Sequence, residues 1–193
     1  MNRRQLILSA AGAGLAVGGL AVPSGAAAVL AATDDELAYA NFGLAAELLL
    51  KNFYEKTIAA KVVTGVSVRE LARGGLNAAQ HADALSKLLT GAGQTAAVAE
   101  DFGFTWPDGT FASGKSAAST GLTVAEPLLG VYQSAASAIS IPSYRTLYAS
   151  MAANVAQQVG ALSQLAGGRV VGISFPPAVD VQTASDAIDA YLG

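Results

Sequence analysis

The chain has 193 residues, with 11 basic and 14 acidic side chains and a formal net charge of −3 at pH 7. This balance leaves no basic surface for nucleic acid, so we expect no nucleic-acid partner. Cysteine is absent, which excludes thiol nucleophiles, iron–sulfur clusters and zinc sites built from cysteine. Only 13% of the residues are charged, about half the usual share. A surface with so little charge is compatible with a homo-oligomer.

The chain begins with the three parts of an export signal: a basic start, an apolar middle and a small-residue end. Arg3 and Arg4 precede an apolar run over residues 6–22, and Ala26 and Ala28 fit a cleavage site. The paired arginines resemble a twin-arginine signal, with an ordinary secretory signal and an uncleaved membrane anchor as alternatives. We expect a periplasmic or extracellular protein, with no stable membrane insertion once the signal is cleaved.

Four long segments after the signal have apolar residues at helical spacing. Capping boxes at residues 33–36 and 67–70 predict the starts of the first two helices. The third helix is expected at about 116–139 and the fourth at about 142–167. A long aromatic-rich loop separates the second helix from the third. Two hairpins with a longer link between them predict an all-α, antiparallel four-helix bundle with a crossover connection.

The chain therefore divides into three parts by sequence. Residues 1–32 are the predicted export signal, residues 33–168 the bundle, and residues 169–193 a C-terminal extension. The extension starts with a β-rich run at 169–175 and ends in a short predicted helix at 183–192.

Four polar residues interrupt the inward apolar stripes of the four helices: Glu47, His81, Glu126 and Gln158. Buried ionisable groups are costly unless they are paired or bound to a metal. Glutamates from two helices and a histidine from another are ligands of the kind that metal sites in bundle cores use. We take Glu47, His81 and Glu126 as candidate metal ligands, for iron or another divalent metal.

The chain resembles the exported bacterial ferritin-like proteins, including those called desiccation-related. Residues 41–54 follow the family's N-F-x-L-x-x-E-x-L-x-x-x-F-Y pattern, and residues 101–111 are similar to its aromatic link. The segment 77–81 stands where the family has H-E-x-x-H, Glu126 stands at its helix-three glutamate, and residues 155–158 replace its second E-x-x-H. The resemblance implies a ferritin-like bundle with six ligand positions for a di-iron centre.

Only half of those ligand positions are kept in this chain. Glu47, His81 and Glu126 occupy three of them. The other three hold Ala78, Val155 and Gln158. In the family, the glutamates of the E-x-x-H motifs bridge the two metals, and both bridges are missing here. We expect a chain without cofactor that has lost di-iron chemistry and has a non-enzymatic structural, interaction or envelope-stress role.

Two other functions stay open at this point. One is a metal-binding or redox protein with a single metal at Glu47, His81 and Glu126. The other is a self-assembling surface protein, which the low charge favours. A site without metal is the competing interpretation of the polar residues. In it, Glu47 pairs with Lys51 four residues later and the cluster includes His81 and Gln158, while Glu126 caps its own helix.

Overall fold

A computed structural model describes residues 32–193, which form five α-helices and two short 3-10 turns, with no strand in that range. The helices are α1 (Asp34–Ala59), α2 (Val66–Gly91), α3 (Gly114–Ala138), α4 (Pro142–Leu165) and α5 (Val181–Leu192). The turns, Ala99–Asp101 and Thr110–Ala112, lie in the long link between α2 and α3. The predicted all-α architecture with four long helices and a short fifth one is confirmed. The predicted signal falls on residues outside the described range, except for Ala32.

The first four helices pack as a bundle in which α1 lies mainly against α2, and α3 mainly against α4. Side-chain contacts fix the helix directions. Glu36, at the start of α1, bonds Ser140 just after α3, whereas Phe53, near the end of α1, lies against Gly121 in the first half of α3. Helices α1 and α3 are therefore antiparallel.

Helices α2 and α3 run parallel, because both are antiparallel to α1, and the chain between them must therefore run along the bundle. The link leaves α2 beside Asn41, whose side chain donates to Gln94 at 3.3 Å. It enters α3 at the other end, where Gly114 lies close to Val62 and Val63. The predicted crossover is this link.

Only one of the two predicted capping boxes is formed at the start of its helix. The Thr33 hydroxyl accepts from the backbone N–H of Glu36 at 3.2 Å, and the Glu36 carboxylate accepts from that of Thr33 at 2.8 Å. The first box is confirmed. The second is wrong: α2 begins at Val66 after Gly65, with no side-chain cap. The positive φ of Gly65, 63°, turns the chain directly into the helix, so Ser67 already lies inside the first turn.

An aromatic cluster joins the link to the rest of the molecule. The Trp106 indole N–H donates to the Asn52 side chain at 2.9 Å. Its ring centroid lies 5.5 Å from that of Phe53 in α1 and 5.3 Å from that of Tyr191 in α5. Backbone hydrogen bonds from Gly103 and Thr105 reach the carbonyls of the last turn of α5. The link thus holds α5 against α1 and α3 and satisfies carbonyls that a helix end leaves free.

The β-rich run at 169–175 forms no strand; it lies in the irregular loop that follows α4. After this loop, the backbone N–H of Val179 donates to the carbonyl of Gly130 at 3.1 Å, and the Ser134 hydroxyl donates to the carbonyl of Val179 at 2.7 Å. Asp180 then caps α5 by accepting from the N–H of Thr183. Within residues 32–193, every helix is too short or too polar to cross a bilayer.

Candidate functional site

The centre of the bundle holds a carboxylate with two hydrogen-bond partners on one oxygen. Glu47 in α1 is fully buried. Its Oε1 accepts a hydrogen bond of 2.8 Å from the hydroxyl of Tyr132 in α3. The Nδ1 of His81 in α2 lies 2.8 Å from the same oxygen. The second carboxylate oxygen, Oε2, is buried and has no hydrogen-bond partner among the described residues.

A second polar pair lies about two helical turns further along α1. The Tyr54 hydroxyl donates to the side-chain carbonyl of Gln158 in α4 at 2.8 Å. The amide N–H of Gln158 in turn donates to Asn154, one turn earlier in α4, at 2.7 Å. The hydroxyls of Tyr132 and Tyr54 therefore both have acceptors, whereas the buried hydroxyl of Tyr148, whose ring lies beside that of Tyr132, has no partner among the described residues.

Two glycines make room for the tyrosine rings. A Cβ on Gly43 of α1 would stand 3.0 Å from the ring of Tyr132, and a Cβ on Gly74 of α2 would stand 2.7 Å from the ring of Tyr54. At separations this short, a side chain at either position would force the tyrosine ring to move. The rings thus fill the interior between the helices, where they pack against backbone.

Burial and charge set the protonation of this centre. Burial raises the pKa of Glu47, and hydrogen bonds from His81 and Tyr132 together with the charge of His81 oppose that shift. Burial, followed by the nearby charge of Glu47, raises the pKa of both Tyr132 and Tyr54. The two tyrosines therefore remain hydrogen-bond donors at all physiological pH values.

The structure brings together only part of the set singled out from the sequence. Glu47 and His81 are in contact, as expected for either interpretation. Gln158 is buried, but it bonds Tyr54 and Asn154. The expected pairing of Lys51 with Glu47 is wrong. Lys51 instead contacts Glu55 at 2.9 Å, with 41% of its side chain exposed. An ammonium group loses less hydration there than it would beside the fully buried carboxylate.

Glu126 lies apart from the centre. It is exposed, whereas its neighbours Ala125 and Leu128 are fully buried. One residue along a helix is a rotation of about 100°, so the position after Ala125 leaves the core stripe of α3. The expected capping role is wrong too. The cap of α3 is Ser113, whose hydroxyl accepts from the N–H of Ser116, and Glu126 lies in the middle of the helix.

These residues do not fit a di-iron centre. Among residues 32–193, no group of three or more histidine, cysteine, aspartate or glutamate side chains is placed to hold a metal ion. Ala78 and Val155, which stand at two of the ligand positions, are fully buried and offer no donor atom. Glu47 and His81 remain as two adjacent side chains with metal-ligand atoms, and Oε1 of Glu47 already accepts a hydrogen bond from the Tyr132 hydroxyl.

Sequence reasoning missed Tyr132, which supplies the contact from α3 that was assigned to Glu126. A signal was present. Ala125, Leu128, Leu129 and Tyr132 follow the i, i+3, i+4, i+7 spacing of a core stripe. A tyrosine on such a stripe needs an acceptor for its hydroxyl.

Comparison with known proteins agrees with the architecture. No curated protein matches the chain. The family model for the ferritin-like domain matches residues 35–168, which comprise α1 to α4 and the crossover link. Since this match covers well over half of the 193 residues, the protein belongs to the ferritin-like domain family.

Proposed function

We propose that this protein is an exported ferritin-like bundle that has lost di-iron chemistry and acts through structure and interaction, in an envelope-stress role. The observation that carries the proposal is the content of the bundle centre. Tyr132 and His81 occupy one oxygen of Glu47, Tyr54 and Gln158 satisfy each other, and apolar Ala78 and Val155 stand where further ligands would be needed. This centre stabilises a fold and offers no open ligand set for two metals.

Iron binding tests the loss of di-iron chemistry. The protein is loaded with Fe(II) under anaerobic conditions, desalted, and its iron is measured before and after exposure to oxygen. We expect less than one retained iron per chain and no oxidation above the buffer rate. A ferritin-like protein with all six ligands, treated in parallel, shows what the assay detects. Two irons per chain with catalysed oxidation would overturn the proposal.

A single metal at the predicted trio is less well supported by the geometry, because Glu126 lies on the surface while Glu47 and His81 are inside. The substitution His81→Ala separates the two cases. If the wild type retains one equivalent of metal that the His81→Ala variant loses, the single-metal function replaces the proposed one. Unchanged metal content in the two proteins leaves the proposed function standing.

The proposed export is supported by the basic, apolar and small-residue pattern of the N-terminal residues. Its test replaces Arg3 and Arg4 with lysine, which keeps the charge and removes the twin-arginine pair. We expect accumulation in the cytoplasm of a host with the twin-arginine route, whereas the wild type reaches the periplasm with its signal removed. Equal export of both proteins would indicate an ordinary secretory signal.

A further inference from the structure

The loop between α4 and α5 exposes a cluster of apolar side chains. The exposed fractions are 53% for Val170, 82% for Val171, 69% for Ile173 and 91% for Phe175. Residues 170–175 thus hold four of the seven large exposed apolar side chains found in residues 32–193. Single exposed apolar residues are ordinary, but a cluster of this kind marks a contact surface.

The same face of the molecule carries a groove of about 610 Å³ between this loop and helices α3, α4 and α5. Its walls are mostly apolar and include Leu129, Val159, Val170, Ile173 and Val179. The exposed apolar side chains of residues 170–175 and the groove therefore lie side by side on one surface.

The loop is fixed in place on the bundle. A Cβ on Gly160 of α4 would stand only 2.7 Å from the carbonyl oxygen of Val170, so the loop backbone lies directly on the helix. At its other end, Val179 bonds both Gly130 and Ser134 of α3. The apolar side chains are thus presented by an anchored segment, which lowers the entropy cost of binding.

The groove also carries one charge of each sign. Glu126 and Arg169 line it, both are exposed, and neither belongs to any of the ion pairs seen among the described residues. Exposed apolar side chains, an apolar groove, an acid and a base on one surface are the elements of an isologous contact, in which a twofold axis relates two copies.

We propose that this surface binds a second copy of the same chain. Phe175 of each copy enters the groove of the other, and Glu126 of each copy faces Arg169 of its partner. Such a contact is isologous and closes at the dimer. The inference specifies the interaction role in the proposed function, but it is independent of the metal result, because loss of the dimer would leave iron content unchanged.

A second copy fits better than a bilayer or a small ligand. Arg169 is the only basic residue in the groove lining, and the chain carries net negative charge, so an anionic membrane gains little attraction. A small ligand inside the groove would leave Phe175 outside it still exposed to water.

Sedimentation of the full chain over a concentration series tests the dimer. The double substitution of Ile173→Ser and Phe175→Ser should weaken dimerisation at least about tenfold, since each dimer buries both side chains twice. Leu76→Ser is the matched control, because Leu76 is 58% exposed on α2, away from the loop, and it should not change the dimer. The apolar run at residues 6–22 is a second source of self-association. The readout is therefore the difference in dimerisation between the double variant and the Leu76→Ser control.

Reversing the charges of Glu126 and Arg169 tests whether this surface binds the same surface of a second copy. Arg169→Glu alone and Glu126→Arg alone should each weaken the dimer, because both create two like-charge contacts. Mixing these two variants, or combining both changes in one chain, should restore it. A wild type that stays monomeric throughout, or reversals without rescue, would overturn the proposal. So would a monomer that binds phosphatidylcholine–phosphatidylglycerol vesicles through Phe175, since the loop would then be a membrane contact.

Discussion

Glu47 illustrates how a carboxylate is kept inside a ferritin-like bundle without a full set of metal ligands. Its Oε1 receives contacts from two other helices, α2 through His81 and α3 through Tyr132. Oε2 has no hydrogen-bond partner among residues 32–193, so the group is short of the hydrogen bonds that an ionised carboxylate needs, and burial favours its protonated form.

Replacing Glu47 tests that description through stability. Glu47→Leu removes the acceptor of the buried Tyr132 hydroxyl, and we expect a loss of about 1–3 kcal/mol for that unsatisfied group. Glu47→Gln keeps an acceptor oxygen and should cost less. Urea unfolding of both variants measures the two values. Equal costs would show that Tyr132 does not depend on this oxygen.

The same residue predicts a pH dependence. The pKa of Glu47 is raised above its ordinary value of 4.5, so the native state binds this proton more tightly than the unfolded chain. The corresponding stability is present below pH 4.5 and is lost as the pH rises through the raised pKa. The cost of Glu47→Gln relative to wild type should therefore shrink as pH rises. Glu100→Gln, at an exposed position, controls for a lost surface charge. A cost that grows with pH would contradict the assignment.

Two adjacent glycines offer a matched test of the packing around Tyr54. Gly74→Ala would place a Cβ 2.7 Å from the Tyr54 ring, which must then move, and we expect a loss of about 1–3 kcal/mol. Gly75→Ala meets only the Cβ of Tyr54 at 3.4 Å, an ordinary contact, so the higher helix propensity of alanine should stabilise α2 by up to about 1 kcal/mol. Thermal unfolding measures both. Equal effects would place the ring elsewhere.

At the scale of elements, the start of α1 does more than begin a helix. The Glu36 carboxylate completes the capping box with one oxygen, and with the other it accepts from the backbone N–H and the hydroxyl of Ser140 at 2.7 and 2.8 Å. The N–H of Thr33, followed by the contacts from Ser140, lowers the pKa of Glu36, although partial desolvation opposes this shift. The box therefore also joins α1 to the turn between α3 and α4.

The two capping-box motifs, at residues 33–36 and 67–70, should respond differently to substitution. Thr33→Ala removes a cap that is formed and should cost about 1 kcal/mol. Ser67→Ala alters a motif that makes no cap in the structure, and it should change stability by less than about 0.5 kcal/mol. Chemical denaturation of the two variants decides the point. A similar loss in both would mean that α2 begins at Ser67 in solution.

On the scale of the whole molecule, the bundle was predictable because it depends on features that repeat over many residues. Four periodic segments and one long link determine the number of helices and the crossover. The centre was less predictable, since it depends on rotation about single helix axes. Aligning Glu126 with a family motif gave its place along α3, yet its neighbour Ala125 is the one on the core stripe. The chemistry of the centre depends on that difference of one residue.

Trp106 gives the molecule a built-in optical reporter. It is the only tryptophan in the chain, and it contacts α1 through Asn52 and Phe53 and α5 through Tyr191. Its emission should shift to longer wavelength when α5 leaves the bundle and water reaches the indole. Tyr191→Ala should produce that shift while circular dichroism still shows a folded bundle, and an unchanged spectrum would mean that α5 does not shield the indole. Fluorescence would then follow the release of the C-terminal helix separately from the melting of the other four.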